Sequence, residues 1–319
     1  MKKVSVIIPC FNEEAVIEES FRRTYEVISS LPNPAEIIYI NDGSSDRTRE
    51  LLDKIAAEHD NVKVLHFSRN FGHQPAVTAG INYCDADYSV IMDADLQDPP
   101  ELIPQMIELA EKERANVVYC VRKSRSGESF FKKLTAKMFY RLLNYMSEVH
   151  FPLDTGDFRL MDRKVMDQFD RFHEHGKYIR GVISWVGFNQ VPFYYEREAR
   201  AAGETKYPFS KMLKFASTAM LYFSVKPLRL AISMGFLCVI VGIVLAAWFT
   251  LGKIYGFSNA ETGWTSIMTS IIFFGGVQLL TVGVLGQYIG IIFDEIKNRP
   301  EYIIDEKRNF GEEKGNDSK

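Results

Sequence analysis

Two long stretches of this chain carry no charge at all. One runs from Leu230 to Gly252, the other from Thr262 to Phe293. A helix rising ~1.5 Å per residue needs about 20 apolar residues to cross the ~30 Å hydrocarbon core of a bilayer. Both stretches are long enough. Helices of water-soluble proteins normally keep a polar face over such a length. The pattern therefore predicts two membrane spans, about 230–252 and 265–293, within a hairpin covering 229–294. The short link, Lys253 to Glu261, places both ends of the hairpin on one side. Lys206, Lys211, Lys214, Lys226 and Arg229 precede the first span, Lys297 and Arg299 follow the second, and the link holds one lysine. The positive-inside bias then predicts a multi-pass protein of the inner (plasma) membrane with both termini in the cytoplasm. Gly275, Gly276, Gly283, Gly286 and Gly290 in the second span permit close helix packing, within the hairpin or with a second copy in a homo-oligomer.

The rest of the chain reads as one cytoplasmic domain, residues 1–228, and a polar tail, 295–319, loose from about Asn309. The apolar run after Met1-Lys2-Lys3 meets Pro9 and Glu13 too soon to be a signal peptide. A hydrophobic content of 46% excludes disorder as the main state. Cys10, Cys84, Cys120 and Cys238 are too widely spaced for a disulfide scaffold or a thiolate metal cluster. A net charge of −3 argues against a dedicated nucleic-acid binder.

Within the first 120 residues strand and helix patterns alternate. Val4–Pro9, Glu36–Ile40, Val62–Phe67, Tyr88–Met92 and Asn116–Val121 read as strands, the first a continuous apolar run of the kind buried on both faces. Glu13–Ser30, Asp46–His59, Gln74–Cys84 and Pro100–Glu113 read as helices. Such alternation predicts an α/β domain with a mostly parallel sheet. Ligands of these sheets bind beyond the carboxyl ends of the strands. Three polar clusters fall at such ends: Asn12-Glu13-Glu14, Asn41 to Asp46, and Asp93-Ala94-Asp95 with Gln97 and Asp98. Neither G-x-G-x-x-G nor G-x-x-x-x-G-K-[ST] occurs, which argues against a dinucleotide fold or a P-loop.

Asp93 and Asp95 are two apart at a strand exit, so their carboxylates point the same way. Two carboxylates on one point suit a hard cation, Mg²⁺ or Mn²⁺, that draws its remaining oxygens from a substrate phosphate. The plain alternative is a turn and helix cap before Pro99-Pro100. Turn and cap chemistry likewise accounts for Ser45 and Asp46. Asn12-Glu13-Glu14 reads equally as a helix start. His73 and Gln74 stand at a helix start where a phosphate, a sugar or only a cap would fit.

These motifs carry a resemblance. Val4 to Glu14, Asn41-Asp-Gly-Ser-Ser-Asp46, Ser68-Arg-Asn-Phe-Gly-His-Gln-Pro-Ala76, Asp93-Ala-Asp-Leu-Gln-Asp-Pro-Pro-Glu101, Thr155-Gly-Asp-Phe-Arg-Leu160, Arg180-Gly181 and Arg200-Ala-Ala-Gly-Glu-Thr-Lys-Tyr207 are similar to the inverting GT-A glycosyltransferases. The branch is that of polyprenyl-phosphate glycosyltransferases, typified by bactoprenol glucosyltransferase and dolichyl-phosphate mannose synthase. The resemblance covers residues 4 to about 296. It departs at Asn41, where an acidic residue is common, and at Thr205, where serine is usual.

The resemblance implies a GT-A nucleotide-sugar-binding domain followed by the hairpin, and a metal-dependent hexosyl transfer from a nucleotide-sugar donor to a polyprenyl-phosphate acceptor. UDP-glucose and undecaprenyl phosphate are the first reading. A GDP-mannose-dependent mannosyl transferase, an amino-pentose transferase and a non-catalytic membrane scaffold are the alternatives. On this reading Pro9, Glu13, Asp42 and Asp93 bind the nucleotide-sugar, while Asp93, Asp95 and Gln97 hold the metal. Asp157 matches the family's catalytic-base position. A phosphate acceptor has a second pKa near ~6, so it is already a nucleophile, and Asp157 could instead orient it.

An anionic acceptor also needs cations. Arg122 to Arg141 contains seven basic residues and one acidic residue, with Phe130, Phe131, Leu134, Met138 and Phe139 near helical spacing. The segments near 130–147 and 208–226 read as interfacial helices against membrane lipids. The first reads equally as a core-packed helix with a solvated basic face. Arg122, Lys133, Arg200 and Lys206 are the candidates for lipid phosphate or diphosphate. For the loop pair Arg200 and Lys206 the alternative role is snorkelling at the membrane edge.

Overall fold

The computed structural model describes residues 1–122, 155–169, 171–172, 174, 178–196, 226–255 and 263–311. The interfacial segments, and Lys133, Arg200 and Lys206, lie outside the described residues. The chain forms two units. One contains the sheet and takes the chain back in from Arg299; the other contains two long helices.

The sheet has eight strands: β1 (Val4–Cys10), β2 (Ala35–Asn41), β3 (Val62–Phe67), β4 (Tyr88–Ile91), β5 (Val117–Arg122), β6 (Thr155–Asp162), β7 (Gln190–Tyr195) and β8 (Ile304–Arg308). Their order is β7-β5-β6-β4-β1-β2-β3-β8. The strands from β4 through β1 and β2 to β3 pair in parallel, as do β5 and β7. β6 is antiparallel to both neighbours, and β8 is antiparallel to β3. The five expected strands are present, mostly within a residue of their expected bounds; β6, β7 and β8 are additional.

β1 is buried along its whole length because both faces of the sheet are covered. Val6 and Ile8 enter one core, with Ile17 and Ile28 of α1 (Ile17–Ser30), Leu52 and Ile55 of α2 (Thr48–Glu58), and Ile103, Met106 and Ile107 of α4 (Ile103–Lys112). Ile7 enters the other, with Ala76 and Val77 of α3 (His73–Asn82), Val165 of α5 (Arg163–Phe169) and Ile179 and Val182 of α6 (Ile179–Val186). In α4 the buried positions 103, 106, 107 and 110 repeat at helical spacing. Gly80 lets α3 approach the sheet closely, since a Cβ there would lie 2.3 Å from Cγ2 of Ile7.

Helix starts shift: α4 begins at Ile103, after a 3₁₀ turn at Pro100–Leu102, not at Pro100. α1 begins at Ile17, not Glu13, and α2 at Thr48, not Asp46. The polar residues before them bind one another: Asn12 N donates to Ser44 Oγ, Ser45 N to Asn12 Oδ1, and Glu14 N to Asp46 Oδ2. The two loops are thereby joined side by side at the carboxyl ends of β1 and β2.

The tail corrects the sequence reading. Residues from Arg299 belong with the sheet, and β8 closes its edge. Arg49 on α2 pairs with Asp305 and Glu306, both at 2.8 Å. Asn309, expected to be loose, donates through Nδ2 to the carbonyls of Ala56, His59 and Val62. No apolar periodicity announces Ile-Asp-Glu-Lys-Arg as a strand. Its edge position explains why, because charged side chains are what an edge strand tolerates.

The second unit holds α7 (Lys226–Ile254) and α8 (Gly263–Ile296). Where two spans were expected, one stretch, Ser270–Ile296, is long and apolar enough to cross a membrane among the described residues. In α7 the apolar stretch Ala231–Val244 is shorter.

Candidate active site

β6 enters the sheet between β4 and β5, although it follows both in sequence. Ile91 on β4 lies opposite Arg159 on β6. Asp93 stands two residues after Ile91, and Asp157 two residues before Arg159. Topology alone thus brings together two carboxylates that are sixty-four residues apart in sequence.

A cavity of about 300 Å³ opens beyond the carboxyl ends of β1, β2 and β4. It is lined by Pro9, Glu13, Asp42, Asp93 and Asp95, all expected there, and also by Cys10, Phe11, Asn70, Gly72, His73, Ala76 and Ala94. Gln97 is outside that lining; its backbone N–H donates to Asp95 Oδ1 at 3.1 Å. Asp42 is buried, and its two carboxylate oxygens accept from the backbone N–H groups of Phe71 (2.6 Å) and Gly72 (2.9 Å). Burial pushes its pKa up by more than those two donors pull it down. Asp42 therefore holds the loop that carries His73 as well as facing the cavity.

Gly43 sits at φ +63°, and a Cβ there would lie 2.3 Å from the carbonyl carbon of Arg69. Only glycine lets these two backbones pass. The motif's turn is thus a close crossing of two loops.

Asp157 is held by a guanidinium. Arg180, in the first turn of α6, donates Nε–H to Oδ1 at 2.7 Å and Nη2–H to Oδ2 at 3.0 Å, and its Nη1 reaches the Thr155 carbonyl. Arg159, buried on β6, stands 3.9 Å from the same carboxylate and is tied to the Gly156 carbonyl. Burial would raise the pKa of Asp157, but the charge and hydrogen bonds of Arg180, with Arg159 and His73 behind them, hold it well below the usual carboxylate range. The group stays ionised and is a poor base.

His73 bridges the two carboxylates. Its Nε2 lies 3.0 Å from Asp93 Oδ1 and its Nδ1 lies 3.9 Å from Asp157 Oδ2. Burial alone would lower its pKa; the hydrogen bond to Asp93 and the two negative charges outweigh that and raise it. Gln74 stands 3.3 Å from His73 Nδ1 and accepts the N–H of Ile179, fixing the start of α6. Arg122 ends β5 beside Gly156, on the Asp157 side. The sequence reading named Asp93 and Asp157 but missed that His73 joins them and that Arg180 clamps Asp157. The signal was the pair Arg180-Gly181, which had no assigned role.

The sheet thus gathers acidic groups at its strand ends, with a clamped carboxylate next to them. Residues 5–169 match the family described as Glycosyl transferase family 2. The chain belongs to that family and is a glycosyltransferase with a GT-A-like α/β fold. It is 48% identical to the uncharacterized glycosyltransferase YkcC of Bacillus subtilis (strain 168), over 94% of this chain and 92% of the relative. It is 38% identical to the bactoprenol glucosyl transferase of Shigella phage SfII, over 95% of this chain and 97% of the relative. Among solved structures, a glucosyl-3-phosphoglycerate synthase from Mycobacterium tuberculosis, in complex with Mn2+, UDP-glucose and phosphoglyceric acid, matches with a TM-score of 0.46 and 19% identity. That match covers 69% of this chain and 78% of that one, a likeness too distant to carry function.

Proposed function

We propose that this protein transfers glucose from UDP-glucose to a polyprenyl phosphate, undecaprenyl phosphate as the working acceptor, with inversion at the anomeric carbon. The observation that carries the reading is that Asp93 and Asp95 line one cavity of a family 2 fold, with the clamped Asp157 linked to Asp93 through His73. Relatives named bactoprenol glucosyl transferase, 37–38% identical over about 95% of the chain, support the choice of sugar and acceptor.

The donor set fits a hard divalent cation, Mg²⁺ or Mn²⁺: Asp93 and Asp95 offer carboxylate oxygens to the same cavity. Among the described residues no group of three or more His, Cys, Asp or Glu side chains could hold an ion. Asp93 and Asp95 would therefore share it with the donor's diphosphate oxygens and water. When bound, such an ion neutralises the charge developing on the nucleoside diphosphate.

The acceptor phosphate brings its own nucleophile, so no strong base is required. Asp157 suits that chemistry: fixed by Arg180, it keeps its charge and direction and contributes orientation, not proton uptake. A single in-line displacement inverts the anomeric carbon, and an α-linked donor gives a β-linked lipid. No second carboxylate is needed as a nucleophile, unlike in a retaining hydrolase.

The lipid acceptor fits a membrane-anchored enzyme. Phe236, Trp248, Leu279 and Ile289, spread along α7 and α8, are more than 60% exposed in the isolated chain, and apolar surface on that scale needs a bilayer or a partner. The chain leaves the sheet-bearing unit before α7 and is back in it by β8. If these helices cross a bilayer, they cross it an even number of times, as a hairpin does. The basic flanks then favour a cytoplasmic catalytic domain at the inner membrane.

A panel of UDP- and GDP-sugars with undecaprenyl phosphate, read by product mass, tests the reading. A hexosyl lipid from UDP-glucose is expected. Transfer from GDP-mannose alone, or from no donor, overturns it.

A further inference from the structure

His66 on β3 is buried completely, and no step of the proposed reaction uses it. It lies beside Asn41, its register partner on β2, with Asn41 Nδ2 3.0 Å from His66 Nδ1. On the other side His66 Nε2 lies 3.2 Å from Asp53 Oδ1 on α2. The same Asp53 oxygen accepts Nε–H of Arg308 on β8 at 2.8 Å. At the far end, Asn41 Oδ1 accepts the backbone N–H of Ser44, closing the turn that contains Asp42 and Gly43.

This line has only one consistent arrangement of protons. A backbone N–H can only donate, so the Asn41 carbonyl oxygen faces Ser44 and its amide group faces His66. His66 Nδ1 must therefore be a lone pair, and Nε2 carries the hydrogen toward Asp53. A carboxylate at position 41 could still accept from Ser44 but would have nothing to donate to His66. The departure from the family pattern at Asn41 thus matches a neutral buried histidine in this chain.

We propose that the C-terminal strand is a working part of the donor pocket: Arg308, Asp53, His66 and Asn41 form a positioning relay that fixes the turn presenting Asp42 to the nucleotide. The inference rests on the donor reading above. It makes the chain beyond the two long helices necessary for nucleotide binding, although β8 contributes nothing to the cavity lining.

The charged groups facing His66 are Asp53 and Arg49 of α2 and Glu306 of β8, with Arg308 behind Asp53. Burial lowers the His66 pKa despite those carboxylates. A lowered folded pKa means stability that is full above the unfolded histidine value of about 6.5 and declines as pH falls below it. Asn41→Asp places His66 between two carboxylates and raises its folded pKa. Its contribution then changes sign: present at low pH and lost as pH rises through the new folded value.

Full-length protein in detergent, titrated with UDP in the presence of Mg²⁺ by calorimetry and unfolded thermally from pH 5 to 8, tests the relay. Arg308→Met is expected to weaken UDP about fivefold, one ordinary hydrogen bond converted at ~1.4 kcal/mol per decade. Asn41→Asp should reverse the pH slope of stability between about pH 5.5 and 7.5, with ¹⁵N-histidine spectra showing His66 changing from its Nε2–H tautomer to the doubly protonated form. Unchanged UDP affinity in both variants, or an unchanged slope in Asn41→Asp, overturns the relay. Wild type that takes up no UDP while Asn41→Asp still reverses the slope overturns the donor reading and leaves the relay's geometry standing.

Discussion

Arg180 offers the sharpest test of how Asp157 works. Arg180→Gln removes the guanidinium that meets both carboxylate oxygens, at 2.7 and 3.0 Å, and leaves Arg159 and His73 at 3.9 Å as the nearest charges. A hydrogen bond to a charged group contributes about 1.5–3 kcal/mol, and two donors from one guanidinium share a single charge. The pair is therefore worth ~3 kcal/mol, not double that. If this orientation matters in the transition state, kcat falls on the order of a hundredfold. A double-mutant cycle with Asp157→Asn should show a coupling of about 2–3 kcal/mol in thermal stability. The pH dependence has a definite sign. Asp157's folded pKa is depressed, so its stabilisation is present above the unfolded aspartate value of about 3.9 and is lost as pH falls toward the folded value. In Arg180→Gln the folded value climbs back, and the protein loses that acid-sensitive part of its stability. The assays are glucosyl transfer and thermal unfolding at a series of pH values. Additive effects of the two substitutions, with an unchanged acid slope, would refute the clamp.

Asp95→Ala should abolish transfer with an unchanged unfolding temperature, and EDTA should silence the wild type until Mg²⁺ or Mn²⁺ is restored; full activity in EDTA would sink the metal role. Gly43→Ala places a methyl against the Arg69–Asn70 backbone at 2.3–2.5 Å. It also carries a left-handed conformation costing about 1–2 kcal/mol, so UDP affinity should fall at least tenfold; wild-type calorimetry would show that the crossing can relax. Ending the chain at residue 227 removes β8 and bares the β3 edge, so that fragment should aggregate, whereas replacing 226–298 by a Gly/Ser linker should give a soluble domain. Equal solubility of the two variants would show that the tail is dispensable.

The parallel half of the sheet was readable because burial on both faces leaves continuous apolar runs, as in Val4–Ile8 and Ile37–Ile40. The polar clusters that follow them were readable for the same reason, since a chain leaving a buried strand meets solvent and ligand together. The three later strands have no such signature. β6 buries a charged residue, Arg159, in mid-strand, β7 contains Pro192, and β8 is four-fifths charged. Each is a strand because of what it lies beside, and that neighbour is distant in sequence.

The same distinction explains which site residues were found. Asp93 and Asp95 announce themselves by their spacing after β4, and Asp42 by its place at the end of β2. Arg180, His73 and His66 act across elements: Arg180 reaches β6 from α6, His73 reaches β4 from α3, and His66 reaches α2 from β3. Their roles depend on a strand order that places β6 beside β4 and β8 beside β3. The order also separates two kinds of necessity. In the proposed reaction Asp157 acts where charge moves. Arg180, Asn41 and His66 hold a carboxylate or a turn in place, and Arg180 and His66 do so from elements that come after the motifs they serve.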